Sequence, residues 1–366
     1  MDFFIQALIF MVVLFLYLHL VQQWKRSEDL EIYEMDYTTN EQLQEVCDIK
    51  QPVLFEYASI FPEFFERLTM EKLVETYGQY DVKVKESTDY YKTISGLSAD
   101  LSIDNKLLSE PIDYMVLPLQ TTHIMMTTDP KAVYFSENND EFIEDSGYLG
   151  SLFEQNDTHF KPSFTVQTKY DVCFGSKEVQ TPLRYHTDYR QFICVNSGKI
   201  IVKMTPWKSS KYLHPIKDYD HYEFRSPVNV WKPQKPYLHD MDKTKFLEFD
   251  VPVGKVLYIP PYWWYSIQYS AEPDTMICRF TYNTIMNSMA TLPDRVRHMI
   301  ANYNSVPNIR KLETNDGSTT DVPIDTVTAP LALEDTVGVD KVTMPMTQVP
   351  IDKMPTVNTS MDTIEL

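Results

Sequence analysis

The stretch GKVLYIPPYWWYSIQY, residues 254–269, decides how the rest of the chain is read. It opens on Gly254, runs through a β-branched and aromatic segment, and stops at Pro260 and Pro261, which cannot continue a ladder. Tyr262, Trp263 and Trp264 follow at once. Three aromatic rings at this point of a strand pack core and rim more often than they form a recognition surface.

Similar runs lie on either side. FTVQTKYDVCF, QFICVNSGKIIVKM, KFLEFDVPVGKVLYIPP and DTMICRFTYN are strand-like segments divided by Gly, Pro and Asn. Helical spacing appears before them in PEFFERLTMEKLVETYG, which ends on a glycine stop, and after them in PDRVRHMIANYN. Strands in succession with helices gathered at the ends predict a mainly β barrel or jelly roll with flanking helices, not βαβ units. The nine glycines include no phosphate-binding loop, so nucleotide binding of that type has no support.

The two ends of the chain differ from this middle. Residues 3–21 read FFIQALIFMVVLFLYLHLV and, as a helix, span about 28 Å at about 1.5 Å per residue, close to a bilayer's hydrocarbon thickness. The start carries Asp2 and the exit VQQWKR has no small-residue cleavage site, so 1–24 is expected to be a retained transmembrane helix. Trp24 suits the interface, and Lys25 with Arg26 place the following domain in the cytosol by the positive-inside bias. Cytosolic placement keeps the sequon at Asn156 unglycosylated. Residues 25–38 read as a polar tether, and Thr39-Asn40-Glu41-Gln42 as a capping box opening a helix.

The C-terminal stretch 311–366 has no aromatic residue and carries ten acids against three lysines, about −7 of the chain's net −19. It is expected to be a disordered acidic tail, from about residue 309 onward, in which VPID occurs twice, at Val322 and Val349. The acidic balance argues against nucleic acid as a partner. The lysines of 199–217 are spaced as on a solvated strand face. Cys47, Cys173, Cys194 and Cys278 lack metal or disulfide spacing and read as buried thiols.

Chemistry is suggested by TPLRYHTDYRQ, residues 181–191, which holds a His-x-Asp pair, His186 and Asp188. One imidazole and one carboxylate are two-thirds of a facial iron site. The same two residues also fit a strand-end histidine beside a solvated aspartate. His214, His221 and His239 are the histidines of the segment that follows, with nothing in the sequence to aim them at the pair.

Taken together, FGSKEVQTPLRYHTDYRQFICVNSGKIIVKMTPW, KYLHPIKDYDHYEF, VPVGKVLYIPPYWWYSIQY and RFTYN resemble the cupin-like JmjC family. The similarity is strongest to its asparaginyl-hydroxylase branch and covers about 39–304. The resemblance implies a double-stranded β-helix for 39–308, eight strands in two sheets. It also implies Fe(II) held by two His and one carboxylate, with 2-oxoglutarate on the open positions and a lysine on its distal carboxylate. The family pattern reads T-P-L-H-x-D, then a strand ending G-x-K, then W-W-H.

Here the positions after Thr181 that match His and Asp hold Arg184 and His186, so His186 and Asp188 become ligands only with a two-residue insertion. Tyr265 stands where the last His is expected. Ile200 fills the lysine position, with Lys199 one place early and so on the other face. Thr181, Arg184 and Lys199 remain the candidates for co-substrate contact.

These departures spare the scaffold motifs and fall on the chemistry. The expectation is a single-pass membrane protein whose cupin-like domain has a degraded iron site, needs no cofactor, and works by binding or as structure. Its contact surfaces for a protein partner would be the barrel rim and the tail. The alternative is an active Fe(II)/2-oxoglutarate hydroxylase with an unorthodox third ligand. The low glycine count and this architecture are also similar to those of proteins from large DNA viruses.

Overall fold

Side chains alternate along the central strands so regularly that each strand feeds two different cores. On the strand Arg190–Ser197, Phe192 and Cys194 join one apolar cluster while Ile193 and Val195 join another. On Lys255–Ile259, Val256 and Tyr258 face the first and Leu257 and Ile259 the second. This is the period-2 signature of a sheet buried on both faces. The computed structural model that shows it describes residues 2–91, 114–272, 274–304 and 309–311.

The described strands are β1 (Tyr33–Met35), β2 (Val53–Glu56), β3 (Asp81–Glu86), β4 (Tyr114–Pro118), β5 (Tyr134–Ser136), β6 (Thr165–Gly175), β7 (Arg184–Tyr185) and β8 (Arg190–Ser197). They continue with β9 (Lys199–Thr205), β10 (Ile216–Asp218), β11 (Glu223–Arg225), β12 (Leu247–Pro252), β13 (Lys255–Ile259), β14 (Trp264–Tyr269), β15 (Met276–Thr284) and β16 (Ile309–Lys311). One sheet runs β1-β2-β13-β8-β15-β6-β5-β3-β4-β16 and the other β10-β11-β7-β14-β9-β12. Pairing is antiparallel except where β1 meets β2 and β16 meets β4. The runs QFICVNSGKIIVKM and KFLEFDVPVGKVLYIPP are each two strands, divided at Gly198 and Gly254. Both glycines have positive φ, 71° and 87°, a conformation that costs glycine no steric penalty.

The inward row of β9 (Ile200, Val202, Met204) packs against Ile193, Val195, Leu257, Ile259, Ile267 and Tyr269 between the sheets. Each such side chain contributes about 1.5–3 kcal/mol when fully buried. The outward row carries the lysines, and Lys199 and Lys203 pair across to Asp250 and Glu248 of β12.

Helices cover the opposite face of the larger sheet: α2 (Asn40–Cys47), α3 (Pro62–Arg67), α4 (Met70–Tyr77), α5 (Leu119–Thr128), α6 (Asp140–Asp145), α7 (Tyr148–Glu154) and α8 (Asp157–Phe160). The run expected as one helix from Pro62 is two. Leu68 leaves helical geometry, and Thr69 caps α4 by accepting from Lys72 N. Thr39 caps α2 by accepting from Gln42 N, but the Gln42 side chain turns to Thr38, so the box is half closed. All four cysteines are free and buried. Asn156 is fully buried, its amide bonded to Tyr57 and to Leu152 O, so the sequon is closed to modification in the folded domain.

Ahead of these elements, α1 (Asp2–Trp24) contains the one stretch among the described residues, Phe3–Trp24, that is long and apolar enough to cross a membrane. The expected tether 25–38 is built into the domain. Tyr33 N donates to Pro52 O as β1 joins the sheet, because Ile32, Met35 and Tyr37 have apolar clusters to pack against. At the other end, β16 falls within the first residues of the expected tail. The rest of that tail, with both VPID copies, lies outside the described residues.

Candidate functional site

Polar residues replace apolar ones at one end of the space between the sheets. There a cleft of about 480 Å³ is lined by Arg184, His186, Asp188, Gln191 and Tyr265 together with Lys85, Glu137, Asp171, Glu223 and Arg279. The first five come from motifs legible in the sequence. The second five were not singled out there as site residues, although Asp171, Glu223 and Arg279 lie within the quoted segments.

Arg184 is set by its strand. β7 lies between β11 and β14, and Arg184 is the Cα partner of Tyr265 on one side and Arg225 on the other. Its guanidinium makes a two-pronged contact with the Glu137 carboxylate, Nη1 donating to Oε1 at 2.6 Å and Nη2 to Oε2, and Nη1 also reaches Glu223 Oε1 at 3.3 Å. Lys85 Nζ lies 3.5 Å from both Glu137 and Glu223. In the same cleft, Arg279 pairs with Asp171, whose two oxygens also accept from the backbone N–H groups of Asn138 and Asn139.

Lys85, Glu137 and Arg184 are 3%, 2% and 7% exposed. Burial pushes the Glu137 carboxyl up, but the Arg184 guanidinium and the Lys85 ammonium overcome it and hold the group well below the usual carboxylate range. For Lys85, burial opposes the charge and Glu223, Tyr90 and Glu137 restore it, leaving the ammonium above its ordinary value. Three cations thus face three carboxylates, and the cluster is neutral as a unit.

His186 is held by the aromatic motif. Its Nε2–H donates to Ile259 O at 3.0 Å, and its own carbonyl accepts from Tyr262 N at 2.9 Å. That bond leaves Nδ1 as the lone-pair nitrogen. Nδ1 is buried without a hydrogen-bond partner, 3.8 Å from Asp188 Oδ2. Burial drops the imidazole to about 4, with Asp188 opposing, so it is neutral at physiological pH. Asp188 in turn accepts from Asn283 Nδ2 at 2.8 Å.

Tyr265 OH accepts from Gln191 Nε2 at 3.1 Å, and the Arg184 guanidinium lies 5.7 Å from the centre of its ring. Thr181, expected at the co-substrate, ties its segment to β14 instead. Its hydroxyl accepts from Ile267 N at 2.9 Å and its carbonyl from Ser266 Oγ at 2.6 Å. Lys199 is on the outer face at 2.9 Å from Asp250, and Ile200 points into the apolar interior.

Of the three other histidines, His221 reaches the cleft rim, bonded to Asp218. His214 pairs with Asp240, and His239 is exposed on the single turn Leu238–Met241, here α9. Among the described residues no three His, Cys, Asp or Glu side chains converge as a metal would require.

Trp263 and Trp264 are buried and spend their indole N–H groups on Lys50 O and Ser210 Oγ. Tyr262, half-buried, packs on the rim instead, with Arg26 over its ring.

Sequence reasoning missed the second five lining residues. For Asp171 and Arg279 a signal exists, since each interrupts an apolar strand run at an inward position. Lys85, Glu137 and Glu223 come from the end of β3, a loop and the short β11, and carry no comparable mark.

In a comparison with family models, residues 38–288 match the cupin-like domain. A JmjC domain-containing protein D of Dictyostelium discoideum is 25% identical over 155 residues, which is 36% of this chain and 34% of that protein, so the alignment spans about a third of its relative's length. The domain match extends over well more than half of the chain and contains β7, β13 and β14 with the cleft they build, and the chain belongs to the cupin-like domain family.

Proposed function

We propose that this chain is a membrane-anchored cupin-like protein whose iron site has been rebuilt as a salt-bridge cluster, and that it acts by binding and not by oxidation. The strand orders β13-β8-β15-β6 and β7-β14-β9-β12 support reading the core as a double-stranded β-helix. Within it, Arg184 and Tyr265 occupy the two positions at which the family pattern places imidazoles, and they are neighbours across β7 and β14.

The observation that carries the proposal is the Arg184–Glu137 pair. A guanidinium has no lone pair to give a metal and does not lose its proton in a protein. The buried donors left, His186 Nδ1 and Asp188, make one nitrogen and one carboxylate, short of the facial set that Fe(II) chemistry uses. The residues present do not fit the metal. The space beneath is equally unsuited to 2-oxoglutarate, because Ile200, Val202 and Met204 fill it with apolar surface and no free cation faces inward from β9. What remains is a polar cleft of mixed charge, suited to hydrogen bonding with a partner at the rim.

In this reading α1 is the anchor, with Lys25 and Arg26 on the cytosolic side. The test is titration of the full chain in detergent with Mn(II) and Fe(II) by calorimetry, together with an assay for succinate. Absence of a stoichiometric site and of turnover is the expected result.

One specific observation favours a second reading, an active oxygenase. The His186 Nδ1 lone pair is unpartnered and faces Asp188. One tight metal per chain with conversion of 2-oxoglutarate to succinate would establish that reading in place of the first.

A further inference from the structure

The last helices are turned the wrong way for a water-soluble domain. In α11 (Leu292–Asn304) the apolar residues Leu292, Val296, Met299, Ile300 and Tyr303 fall in a sector about 100° wide, and that sector faces out. Met299 is 66% exposed and Tyr303 91%. The polar side packs on the domain. Asp294 accepts from Tyr219 OH at 2.8 Å, His298 Nδ1 donates to Tyr219 O at 2.6 Å, and Arg295 donates to Gln167 at 3.0 Å. On the preceding helix, α10 (Ile285–Ala290), Ile285 and Met289 are also exposed, one turn apart. The hydrophobic effect would seat such a helix with its stripe inward unless something apolar lay outside.

The anchor helix ends on this same pair. Trp24 Nε1–H donates to Ala290 O at 3.3 Å, and two residues later the Arg26 guanidinium lies over the edge-to-face rings of Trp207 and Tyr262, 4.2 and 4.1 Å from their centres. There is therefore no free linker between α1 and the domain. The helix that meets α10 here has an apolar span that is itself wholly unburied.

We infer that α10 and α11 form an interfacial helix pair that lies in the headgroup–acyl boundary of the bilayer α1 crosses, so that the cupin domain rests on the membrane in a fixed orientation. The inference rests on reading α1 as a membrane span. An amphipathic helix with its apolar face buried in the boundary layer and its polar face toward protein satisfies both sides of α11. The aromatic Tyr303 and Trp24 suit the same depth.

Depth measurement on the full chain tests this. Nitroxide labels are placed one at a time on Met299→Cys, on Val13→Cys in the middle of α1, and on Glu248→Cys on the exposed face of β12, with the unsubstituted protein, whose cysteines are buried, as the blank. The protein is reconstituted into phosphatidylcholine–phosphatidylserine vesicles, and collisions with oxygen are compared with those of a water-soluble nickel complex. Labels at Val13 and Met299 should both favour oxygen over nickel several-fold relative to Glu248, with Met299 the shallower.

A Val13 label in lipid with an aqueous Met299 label would overturn the inference and leave the anchor standing. So would a Met299 label shielded from both reagents, which would mean that protein, such as a second copy of the chain, covers the stripe. An aqueous Val13 label with Met299 in lipid would remove the anchor on which the inference rests, and with it the inference as stated. Both labels in water would remove both.

Discussion

Arg184 and Tyr265 are Cα partners across β7 and β14, and neither can do what an imidazole would do there. The guanidinium is spent on Glu137 and the phenol accepts from Gln191. The pair joins the TPL segment to the aromatic motif at the point where the two sheets open into the cleft, so the chemistry of the whole site turns on it.

Breaking the buried pair from one side should be costly. Arg184→Met leaves Glu137 ionised, 2% exposed, with Lys85 at 3.5 Å as its ion-pair partner and Arg279 acting from farther off. Removing one partner of a buried ion pair costs about 3–5 kcal/mol, whereas replacing both by apolar groups is often near neutral. Denaturant unfolding should show Arg184→Met far less stable than the parent, and the double variant Arg184→Met with Glu137→Leu should recover most of the loss. Equal loss in both would mean the pair does not carry the energy assigned to it.

Acid should weaken the fold before the carboxylates titrate. The His186 imidazole is about 4 in the folded chain against about 6.5 when unfolded. Between those values the unfolded chain holds more protons, so stability is fully present above about pH 6.5 and falls as pH drops toward 4. The full effect is roughly 3 kcal/mol. His159, also lowered by burial, adds in the same direction. Denaturation midpoints measured at pH 7 and pH 5 should converge in His186→Gln compared with the parent. An unchanged difference between the two pH values would show that His186 does not titrate as described.

Lys50 gives a dependence of the same sign in a higher pH window. It is 2% exposed, has φ 64°, and is brought down to about 7 by burial first and Arg190 second, with Asp48 opposing. Its amine is therefore neutral in the fold above about pH 7 and charged in the unfolded chain up to about 10.4. A depressed folded value means that stability rises with pH across that window. The ammonium is held in place below it at a cost. Lys50→Met keeps the carbonyl that accepts from Trp263 and removes the charge, so it should raise Tm at pH 6 and have a smaller effect at pH 10. A drop in Tm at pH 6 would show that the ammonium is satisfied where it stands.

The strands were legible because their side chains alternate in plain view. FICV and VLYI divide residue by residue between the two cores, and Gly198 and Gly254 mark the turns. The scaffold half of the site was legible for the same reason, through TPL and IPPYWW. The charge cluster was not. Glu137 and Glu223 reach the cleft from a loop and from the short strand β11 inside the smaller sheet, and only tertiary folding brings residues 47 and 39 positions away from Arg184 to its guanidinium. Likewise Ile32, Met35 and Tyr37 sit in so polar a stretch that local composition reads as a tether, although each finds an apolar cluster to join.

Building a metal site is the most demanding prediction. Tyr265→His alone places an imidazole beside a guanidinium that is bound to Glu137, and should yield at most weak metal binding. Without an insertion in the motif, the positions that must change are Arg184, His186 and Tyr265, to His, Asp and His. Losing a neighbour that merely orients a ligand already costs about tenfold to a hundredfold in affinity, so a site lacking whole ligands should not bind at all. The triple variant should therefore bind Mn(II) measurably in calorimetry where the parent and Tyr265→His do not. It should also be less stable without metal, since Glu137 loses Arg184. If instead the parent binds one Mn(II) and both His186→Ala and Asp188→Ala abolish it, the shifted pair is the true ligand set, and the two-residue insertion that the motif required is real.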